Sequence, residues 1–308
     1  MTGRNNAWAL GGTDLSGATK GTPLAEHWNG SNWQRAALPA GLSNELGAAS
    51  APRGNDVWAA SVLGEYVLHW TGAKWVVARK WKVSGLSEEL TGVTAFSASN
   101  VWVFGGPGAY PGLGTWHLHG TTWTHLTTAP AGGITAASAV SARNIWAYGA
   151  STTAPDAIIA HYNGTTWRQV TSPALSNLQF TGIVALSAAN VWATAIKGGI
   201  ANKPVLVHFN GTRWQRVAVP WPLNVFRATA DGQGGLWIVG DTVSTSTQRT
   251  YVLHRSRSGA WSRYLLPAGS GLLSVARIPG TTSAWATGDT PRSAGGGYAA
   301  IWAHGSVG

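Results

Sequence analysis

The feature of this sequence that most restricts its fold is a pair of tryptophan motifs that recur along the whole chain. A segment of the approximate form Asn-Val-Trp-Ala-x-Gly recurs at intervals of 44 to 50 residues, with its tryptophan at Trp8, Trp58, Trp102, Trp146, Trp192, Trp237 and Trp285. A second segment, His-aromatic-Asn-Gly-x-x-Trp, places its tryptophan at Trp33, Trp75, Trp123, Trp167, Trp214 and Trp261. These motifs contain 13 of the 19 tryptophans. Such regular repetition predicts a row of equal structural units.

Each repeat contains four short runs rich in β-branched and aromatic residues, separated by Gly, Asn, Pro and Ser. No stretch has the sustained periodicity of an amphipathic helix. Four strands in each of seven repeats predict an all-β fold, a seven-bladed β-propeller with four-stranded antiparallel blades. We expect a single propeller domain over 1–308. Its approximate repeats are 1–43, 44–88, 89–131, 132–178, 179–222, 223–268 and 269–308.

The two ends of the sequence do not contain complete repeats. The chain starts at the second strand of the first repeat and stops after the third strand of the seventh. We therefore predict 26 strands, with an incomplete first blade and an incomplete last blade. Unpaired strand edges are a liability in β proteins. The sequence does not indicate how the two incomplete blades would close the ring.

Composition excludes several classes of protein. The 308 residues include no cysteine, which removes disulfides, thiolate metal sites and cysteine nucleophiles. No apolar run approaches the roughly 20 residues of a membrane-spanning helix, and we expect no signal peptide in this sequence. There is no Gly-x-Ser-x-Gly, His-Glu-x-x-His or phosphate-binding loop, and only 11 residues are acidic. We expect no cofactor and no metal.

The motif pair resembles bacterial propeller repeats of the Asp-box type, as found in sialidases and in photosystem assembly factors. The matching segments are Asn29-Gly30-Ser31-Asn32-Trp33, Asn163-Gly164-Thr165-Thr166-Trp167 and Asn210-Gly211-Thr212-Arg213-Trp214. Here Asn or Thr mostly replaces the aspartate, and the turn is one residue shorter. The resemblance implies a propeller with this turn between its third and fourth strands. It implies no activity, because such repeats serve hydrolases, receptors, lectins and assembly factors alike.

Residues that recur in every repeat are expected to support the repeat itself. We interpret the 13 motif tryptophans as core packing between blades. A histidine precedes the second-motif tryptophan by six or seven residues, at His27, His69, His117, His161, His208 and His254. Equivalent positions of different blades cannot converge on one metal ion, so we expect these histidines to make structural hydrogen bonds. Four arginines that follow the second-motif tryptophan are expected on outer strands: Arg35, Arg168, Arg216 and Arg263.

A binding site is expected where the repeats differ. The loops between second and third strands are long and variable, at 11–23, 105–114, 150–155 and 240–248. The candidate ligand-binding residues that interrupt the repeat are Trp81, Trp221, Tyr110, Asp14, Asp241, Asp289 and Arg227. A second set, Arg79, Lys80 and Lys82, surrounds Trp81 and is a candidate for an anionic ligand. The alternatives are a solvated loop for this set and a structural ion pair for Arg227.

The sequence favours a non-catalytic binding module for a carbohydrate or a partner protein. Aromatic side chains would stack on sugar rings, while the acidic residues and Arg227 would orient them. One alternative is a carbohydrate-active enzyme, a glycoside hydrolase or a polysaccharide lyase, at the mouth of the central channel. Another is a scaffold or sensor domain of a longer protein. Despite the net charge of +10, we do not expect a nucleic-acid partner. We expect an extracellular or cell-surface location as a mature domain, without membrane insertion.

Overall fold

The protein is described from a computed structural model in which the chain divides into two compact units, Met1–Val170 and Thr171–Gly308. The structure describes residues 1–13, 21–63, 65–82, 89–105, 113–126, 132–151, 157–198, 203–242, 249–266, 271–289 and 299–304. Apart from one short 3₁₀ helix, Pro173–Leu175, the regular structure of these residues consists of strands, which confirms the all-β prediction.

The first unit contains four antiparallel sheets in which consecutive strands are neighbours. The first sheet has three strands, β1 (Ala7–Thr13), β2 (Thr22–Trp28) and β3 (Trp33–Arg35). The second has β4 (Leu46–Arg53), β5 (Asp56–Ser61), β6 (Tyr66–Trp70) and β7 (Trp75–Lys80). The third has β8 (Leu90–Ser97), β9 (Asn100–Gly105), β10 (Thr115–His119) and β11 (Thr122–Leu126). The fourth has β12 (Gly132–Ser141), β13 (Asn144–Ser151), β14 (Ala157–Tyr162) and β15 (Trp167–Val170).

The second unit contains three sheets of the same kind. Its first sheet has β16 (Leu178–Ser187), β17 (Asn190–Lys197), β18 (Pro204–Phe209) and β19 (Trp214–Ala218). The next has β20 (Asn224–Ala230), β21 (Leu236–Asp241), β22 (Thr250–Arg255) and β23 (Trp261–Leu265). The last has three strands, β24 (Gly271–Arg277), β25 (Ala284–Asp289) and β26 (Ala299–His304).

The architecture is that of a β-propeller with four-stranded antiparallel blades. Among the described residues, five sheets are complete blades, and the sheets at the two ends of the chain have three strands each, as the strand count from the sequence predicts. Counting the two incomplete sheets as a single blade gives six blades, not the seven that the number of repeats predicts. A total of seven blades stays a prediction.

Neighbouring sheets contact each other through their first strands: β4 with β8, β8 with β12, β16 with β20, and β20 with β24. Each of these strands carries an irregularity near its start, where one extra residue interrupts the pairing with the second strand. Small residues follow this point in several repeats. A Cβ added to Gly92 would lie 2.9 Å from the carbonyl oxygen of Thr135 on the next sheet. The close approach of neighbouring sheets explains why this position favours a small side chain.

A trio of side chains recurs in the six sheets whose histidine motif is complete. The first-motif tryptophan lies beside the histidine of the strand that follows it, with ring centroids 3.9 to 4.6 Å apart. The histidine Nε2 is 2.9 to 3.2 Å from a carboxamide or carboxylate oxygen. The trios are Asn6, Trp8 and His27; Asp56, Trp58 and His69; Asn100, Trp102 and His117; Asn144, Trp146 and His161; Asn190, Trp192 and His208; and Asp231, Trp237 and His254. The predicted structural hydrogen bonds of the histidines are confirmed.

The motif tryptophans form much of the buried core. Six of the seven first-motif tryptophans are buried, and Trp8 is half-buried. Of the second motif, Trp75, Trp167 and Trp214 are buried. Trp102 illustrates the packing: its ring lies 5.6 Å from that of Trp167 on the next sheet. The four arginines predicted on outer strands lie on the outermost strand of their sheets and are exposed. The repeated tryptophans therefore form much of the core, and the four repeated arginines lie on the outermost strands.

The three Asn-Gly turns between third and fourth strands share one geometry. The asparagine side-chain oxygen accepts hydrogen bonds from the backbone N–H groups two and three residues further on, at 2.9 to 3.1 Å. The following glycine has φ between 92° and 100° in all three turns, at Gly30, Gly164 and Gly211. Since glycine alone adopts this region freely, the predicted turn role of the Asn-Gly pairs is confirmed.

Candidate functional site

A cavity in the first unit is lined by residues of the cluster that the sequence analysis singled out around Trp81. We call it the Trp81 cavity. Its volume is about 250 Å³, and its lining residues are Gly41, Leu42, Glu65, Tyr66, Lys80 and Trp81. The segment before β4 forms one wall, and the start of β6 and the end of β7 form the other. This is a binding-sized recess with one carboxylate and one ammonium group in its lining.

The pairing of β6 with β7 determines which side chains meet at this cavity. Tyr66 and Lys80 are cross-strand partners, and the Trp81 backbone N–H donates to the Glu65 carbonyl oxygen at 2.9 Å, which extends the ladder by one pair. Glu65, Tyr66, Lys80 and Trp81 are thereby fixed at one end of the same hairpin. Lys80 is exposed and Trp81 is half-buried. Lys82, two residues further on, is exposed and is not a lining residue.

The polar groups of the cavity wall are hydrogen-bonded to the segment before β4. The Tyr66 hydroxyl donates to the Asn44 carbonyl oxygen at 2.9 Å, and the Ser43 hydroxyl donates to Glu65 Oε2 at 3.2 Å. Burial of Tyr66, and after it the charge of Glu65, raise the pKa of the Tyr66 phenol well above its usual range. The phenol therefore stays protonated and acts as a hydrogen-bond donor at physiological pH.

Arg79, the residue before Lys80, is stacked among three tryptophans. Its guanidinium carbon lies 4.1 Å from the ring centroid of Trp116, 5.1 Å from that of Trp81 and 5.8 Å from that of Trp123. Burial lowers the pKa of Arg79 from its ordinary value, and its Nε has no hydrogen-bond partner. Contacts of this kind hold a cation by the quadrupoles of the rings. Arg79 thus fixes the position of Trp81, while Lys80 is the cation that lines the cavity.

The second unit contains a similar cluster around Trp221. Trp221 and Trp261 make an edge-to-face contact with centroids 6.1 Å apart, and the Arg263 guanidinium carbon lies 5.1 Å from the Trp221 centroid. In the first unit, Trp81 and Trp123 make the same kind of contact at 6.2 Å. In both units the tryptophan follows a fourth strand and packs on the fourth-strand tryptophan of the next sheet. Trp221 is therefore a structural counterpart of Trp81, and it is not a lining residue of the Trp81 cavity.

The remaining predicted residues do not meet at this cavity in the described part of the protein. Asp241 is buried at the end of β21, and its Oδ1 accepts a hydrogen bond from the Asn224 side chain at 3.1 Å. Arg227 is half-buried in β20, directly after the irregularity that precedes a small residue in other repeats. Asp14 and Tyr110, like most of the variable loops, lie outside the described residues. Asp289 ends β25, and its side chain is not among those that the structure describes.

Sequence reasoning found Trp81 and Lys80 but missed the rest of the lining. Glu65 and Tyr66 begin a third strand, and Gly41 and Leu42 belong to a connection without motif character. One weak sign of the missed residues was present in the sequence: Glu65 is one of only 11 acidic residues and stands next to an apolar strand. Among the described residues, no three His, Cys, Asp or Glu side chains are grouped as a metal ion would require. In the same part of the chain, no helix is long and apolar enough to span a membrane.

Comparison with known proteins bears on the fold. No protein-family model and no curated protein matches the chain. Among solved structures, YCF48 bound to a D1 peptide is similar with a TM-score of 0.62 and 12% identity, over 97% of this chain and 88% of that chain. A catalytically inactive virginiamycin B lyase from Staphylococcus aureus, with quinupristin, has a TM-score of 0.63 and 12% identity, over 93% of each chain. The GH74 xyloglucanase from Xanthomonas campestris has a TM-score of 0.60 and 15% identity, over 92% of this chain and 53% of that chain. At these identities the likeness shows the fold alone: the chain has the fold of a β-propeller.

Proposed function

We propose that the protein is a non-catalytic carbohydrate-binding module whose site is the Trp81 cavity. The observation that supports this most directly is the combination of an aromatic residue, an ammonium group and a carboxylate around one small recess. A pyranose has an apolar face that stacks on an aromatic ring and a rim of hydroxyls that bonds to charged groups. The volume of about 250 Å³ lies below the range of roughly 300–1,000 Å³ that is typical of drug-sized ligands, which favours one sugar unit over a folded partner.

The chemistry of the lining favours binding over glycoside hydrolysis. Hydrolysis ordinarily needs two carboxyl groups on either side of the scissile bond, one as acid and one as base or nucleophile. Glu65 is the single carboxylate among the lining residues, and the phenol of Tyr66 is held protonated by its surroundings. The described lining can therefore orient a sugar, and it offers no second carboxylate among the described residues. Product analysis on any glycan that binds tests for turnover, including turnover by a lyase.

We predict that the exchange Lys80→Gln weakens glycan binding about tenfold or more, whereas Lys82→Gln leaves it unchanged. Both lysines are exposed, so neither exchange threatens the fold, and only Lys80 lines the cavity. A hydrogen bond from a charged group is typically worth about 1.5–3 kcal/mol, which is roughly a tenfold to hundredfold change in affinity. The measurement is binding of the purified protein to an array of neutral, uronic and sulfated glycans at physiological salt. Equal loss in both variants, or loss at higher salt in the wild type, would indicate nonspecific attraction to the net positive charge instead.

The exchange Trp81→Ala is predicted to abolish glycan binding, and Trp221→Ala is its matched control. Both tryptophans make the same edge-to-face contact on a neighbouring sheet and both have a stacked arginine, so both variants lose similar packing. Only Trp81 lines the cavity. Thermal unfolding measured alongside binding separates lost packing from a lost ligand contact. If Trp221→Ala abolishes binding and Trp81→Ala does not, the site lies in the second unit.

Three further features belong to the same proposal. We infer that the seven sheets are seven blades, for which six blades are the alternative. Class averages from electron microscopy, viewed along the ring axis, distinguish the two.

We interpret the Asn-Gly turns as degenerate Asp boxes, because their asparagine oxygen accepts the same pair of backbone N–H groups in all three turns. A carbohydrate ligand also favours a cell-surface or extracellular location.

A further inference from the structure

The turn between β20 and β21, residues 231–235, differs in sequence from the corresponding turns of other sheets. It reads Asp-Gly-Gln-Gly-Gly, whereas three other sheets have Ser-Ala-x-Asn at this place, at 97–100, 141–144 and 187–190. Asp231 closes the turn, because its Oδ1 accepts hydrogen bonds from the backbone N–H groups of Gln233 and Gly235 at 2.7 and 2.8 Å. The backbone of the 231–235 turn is therefore held by its own side chain, at a place where the repeat is interrupted.

Three arginines of the second unit border this turn. The Nη1 atom of Arg277, at the end of β24, lies so close to Gly232 that a Cβ there would collide with it. The Cδ atom of Arg257, in the turn between β22 and β23, would lie 3.2 Å from a Cβ on Gly234. Arg255, the last residue of β22, borders the turn with its carbonyl oxygen. We call Arg255, Arg257 and Arg277 the arginine cluster; the glycines of the turn leave room for it.

Positive charge is in excess at the arginine cluster. The carboxylate of the turn, Asp231, is 3% exposed, and its Oδ2 lies 3.0 Å from His254 Nε2. Both of its oxygens are therefore used inside the sheet. No member of the cluster makes an ion pair with a residue that the structure describes. Arg257 is exposed, and Arg255 and Arg277 are half-buried, so the cluster is open to an anion in solvent.

Two members of the cluster are held in position by the protein. The Arg255 guanidinium carbon lies 4.5 Å from the ring centroid of Trp192, and its Nη1 donates to the Ser256 carbonyl oxygen at 3.3 Å. The Arg277 Nη1 donates to the Thr281 carbonyl oxygen at 3.3 Å. Since a guanidinium has five N–H groups, Arg277 keeps most of its donors for a ligand. Donors that are already positioned lose less conformational entropy when a ligand binds.

We propose that the arginine cluster binds a tetrahedral oxyanion, a phosphate or sulfate group with at least three free oxygens. Guanidinium groups pair with such groups through parallel hydrogen bonds. Arg257 and Arg277 reach the turn from different elements, so they approach a bound anion from different directions. Three free oxygens can accept from both, whereas the two oxygens of a carboxylate lie in one plane and a phosphodiester has only two free oxygens. The ligand is therefore a free ion or a terminal ester, and not a nucleic-acid backbone.

The cluster is independent of the proposed carbohydrate site, because it lies in the second unit and shares no residue with the Trp81 cavity. The test is an NMR titration of the isotope-labelled full-length protein, in which the side-chain Nε–H signals of the arginines report binding. The probes are inorganic phosphate, inorganic sulfate, methyl phosphate and methyl sulfate. Dimethyl phosphate and acetate serve as probes with two free oxygens.

The variants are Arg257→Gln and Arg277→Gln, with Arg249→Gln as the matched control. Arg249 is exposed and lies just before β22, at the end of that strand opposite to Arg255. Each of the three variants therefore loses one positive charge. Thermal unfolding without ligand shows whether each variant is folded. Should Arg277→Gln fail to fold, Arg257→Gln decides alone, because its position is exposed.

We expect a probe with three or more free oxygens to bind wild type, and each cluster variant to bind it about tenfold more weakly. Arg249→Gln should keep the wild-type affinity, and dimethyl phosphate and acetate should bind about tenfold more weakly or not at all. Inorganic ions that bind more tightly than the methyl esters would identify a free ion as the ligand, and the reverse order would identify a terminal ester. Either order supports the proposal.

Three results would overturn the proposal. An equal loss of affinity in Arg249→Gln would show nonspecific attraction to positive charge. Dimethyl phosphate or acetate binding as tightly as the other probes would show that three free oxygens are not recognised. Arginine signals that do not respond to any probe would remove the oxyanion site and leave the proposed glycan site in the first unit unaffected.

Discussion

Replacing Asp56 by alanine is expected to lower the free energy of unfolding by about 2–4 kcal/mol. The Asp56 carboxylate lies at the start of β5 and is largely buried. Its Oδ1 accepts from Trp58 Nε1 at 2.9 Å and lies 2.9 Å from His69 Nε2. Alanine would leave both ring N–H groups without a partner in the protein, next to a stack in which the rings of Trp58 and His69 are 4.3 Å apart. Equilibrium unfolding in guanidinium chloride measures the loss.

The exchange Asp56→Asn is the informative control, because asparagine occupies the same position in four of the other trios. Asn190 shows that a carboxamide can do the same work: its Oδ1 accepts from Trp192 Nε1 at 2.9 Å and lies 2.9 Å from His208 Nε2. We therefore expect Asp56→Asn to cost less than about 1 kcal/mol, since it keeps the acceptor oxygen and changes the charge. A loss as large as that of the alanine variant would show that the negative charge, and not the acceptor, stabilises the trio.

The trios also show why the fold could be predicted from the sequence. The tryptophan and the histidine of every trio are cross-strand partners, because each sheet solves the same packing problem with the same local contacts. Repetition turns many weak strand signals into one strong signal, so the four strands of each repeat and the core role of Trp58 and Trp102 were predictable. The structural role of the histidines followed from the same argument, because equivalent positions in different sheets cannot converge on one ion.

The candidate site could be predicted only in part, for a physical reason. Trp81 and Lys80 stand out because they interrupt the repeat. Glu65 and Tyr66 join them through the pairing of β6 with β7, which brings together residues about 15 positions apart. Gly41 and Leu42 complete the lining from the segment before β4, and the Tyr66 hydroxyl bonds to that segment at the Asn44 carbonyl oxygen. Contacts that depend on register and on a single buried hydroxyl leave no pattern that a sequence can display.

The protein is expected to lose stability on mild acidification, by about 3 kcal/mol between pH 7 and pH 4. Burial lowers the pKa of four trio histidines, His27, His117, His161 and His208. For His117 burial, followed by the charge of His119, lowers the pKa to about 4. In the unfolded chain the same imidazoles titrate near 6.5. Between these values the unfolded state binds more protons than the folded state, so stability falls as the pH falls through this window.

The expected loss of about 3 kcal/mol is kept below the full pKa shift of His117, because the imidazoles are partly exposed and solvent screens their charge. Once the pH has fallen below the folded-state pKa of about 4, His117 is protonated in both states, and its contribution to the slope ends. Hydrogen bonds from His254 and from the backbone N–H groups of Gln233 and Gly235 outweigh burial and lower the pKa of Asp231. This carboxylate loses its stabilising contribution only as the pH falls further, through its own pKa. As the pH falls, protonation of the histidines therefore lowers the stability first, and protonation of Asp231 lowers it further at a lower pH.

The variant His117→Gln separates this titration from general acid unfolding. Glutamine can donate its amide N–H to Asn100 Oδ1, which His117 Nε2 approaches to 3.0 Å, but it has no proton to gain near pH 6. Near pH 7 the variant should be somewhat less stable than wild type, because it loses the stack on Trp102 at 4.1 Å. Its stability should then decline less steeply between pH 7 and pH 4, so that the two unfolding curves converge. Parallel curves would mean that His117 is solvated in the folded state and that its burial does not resist protonation.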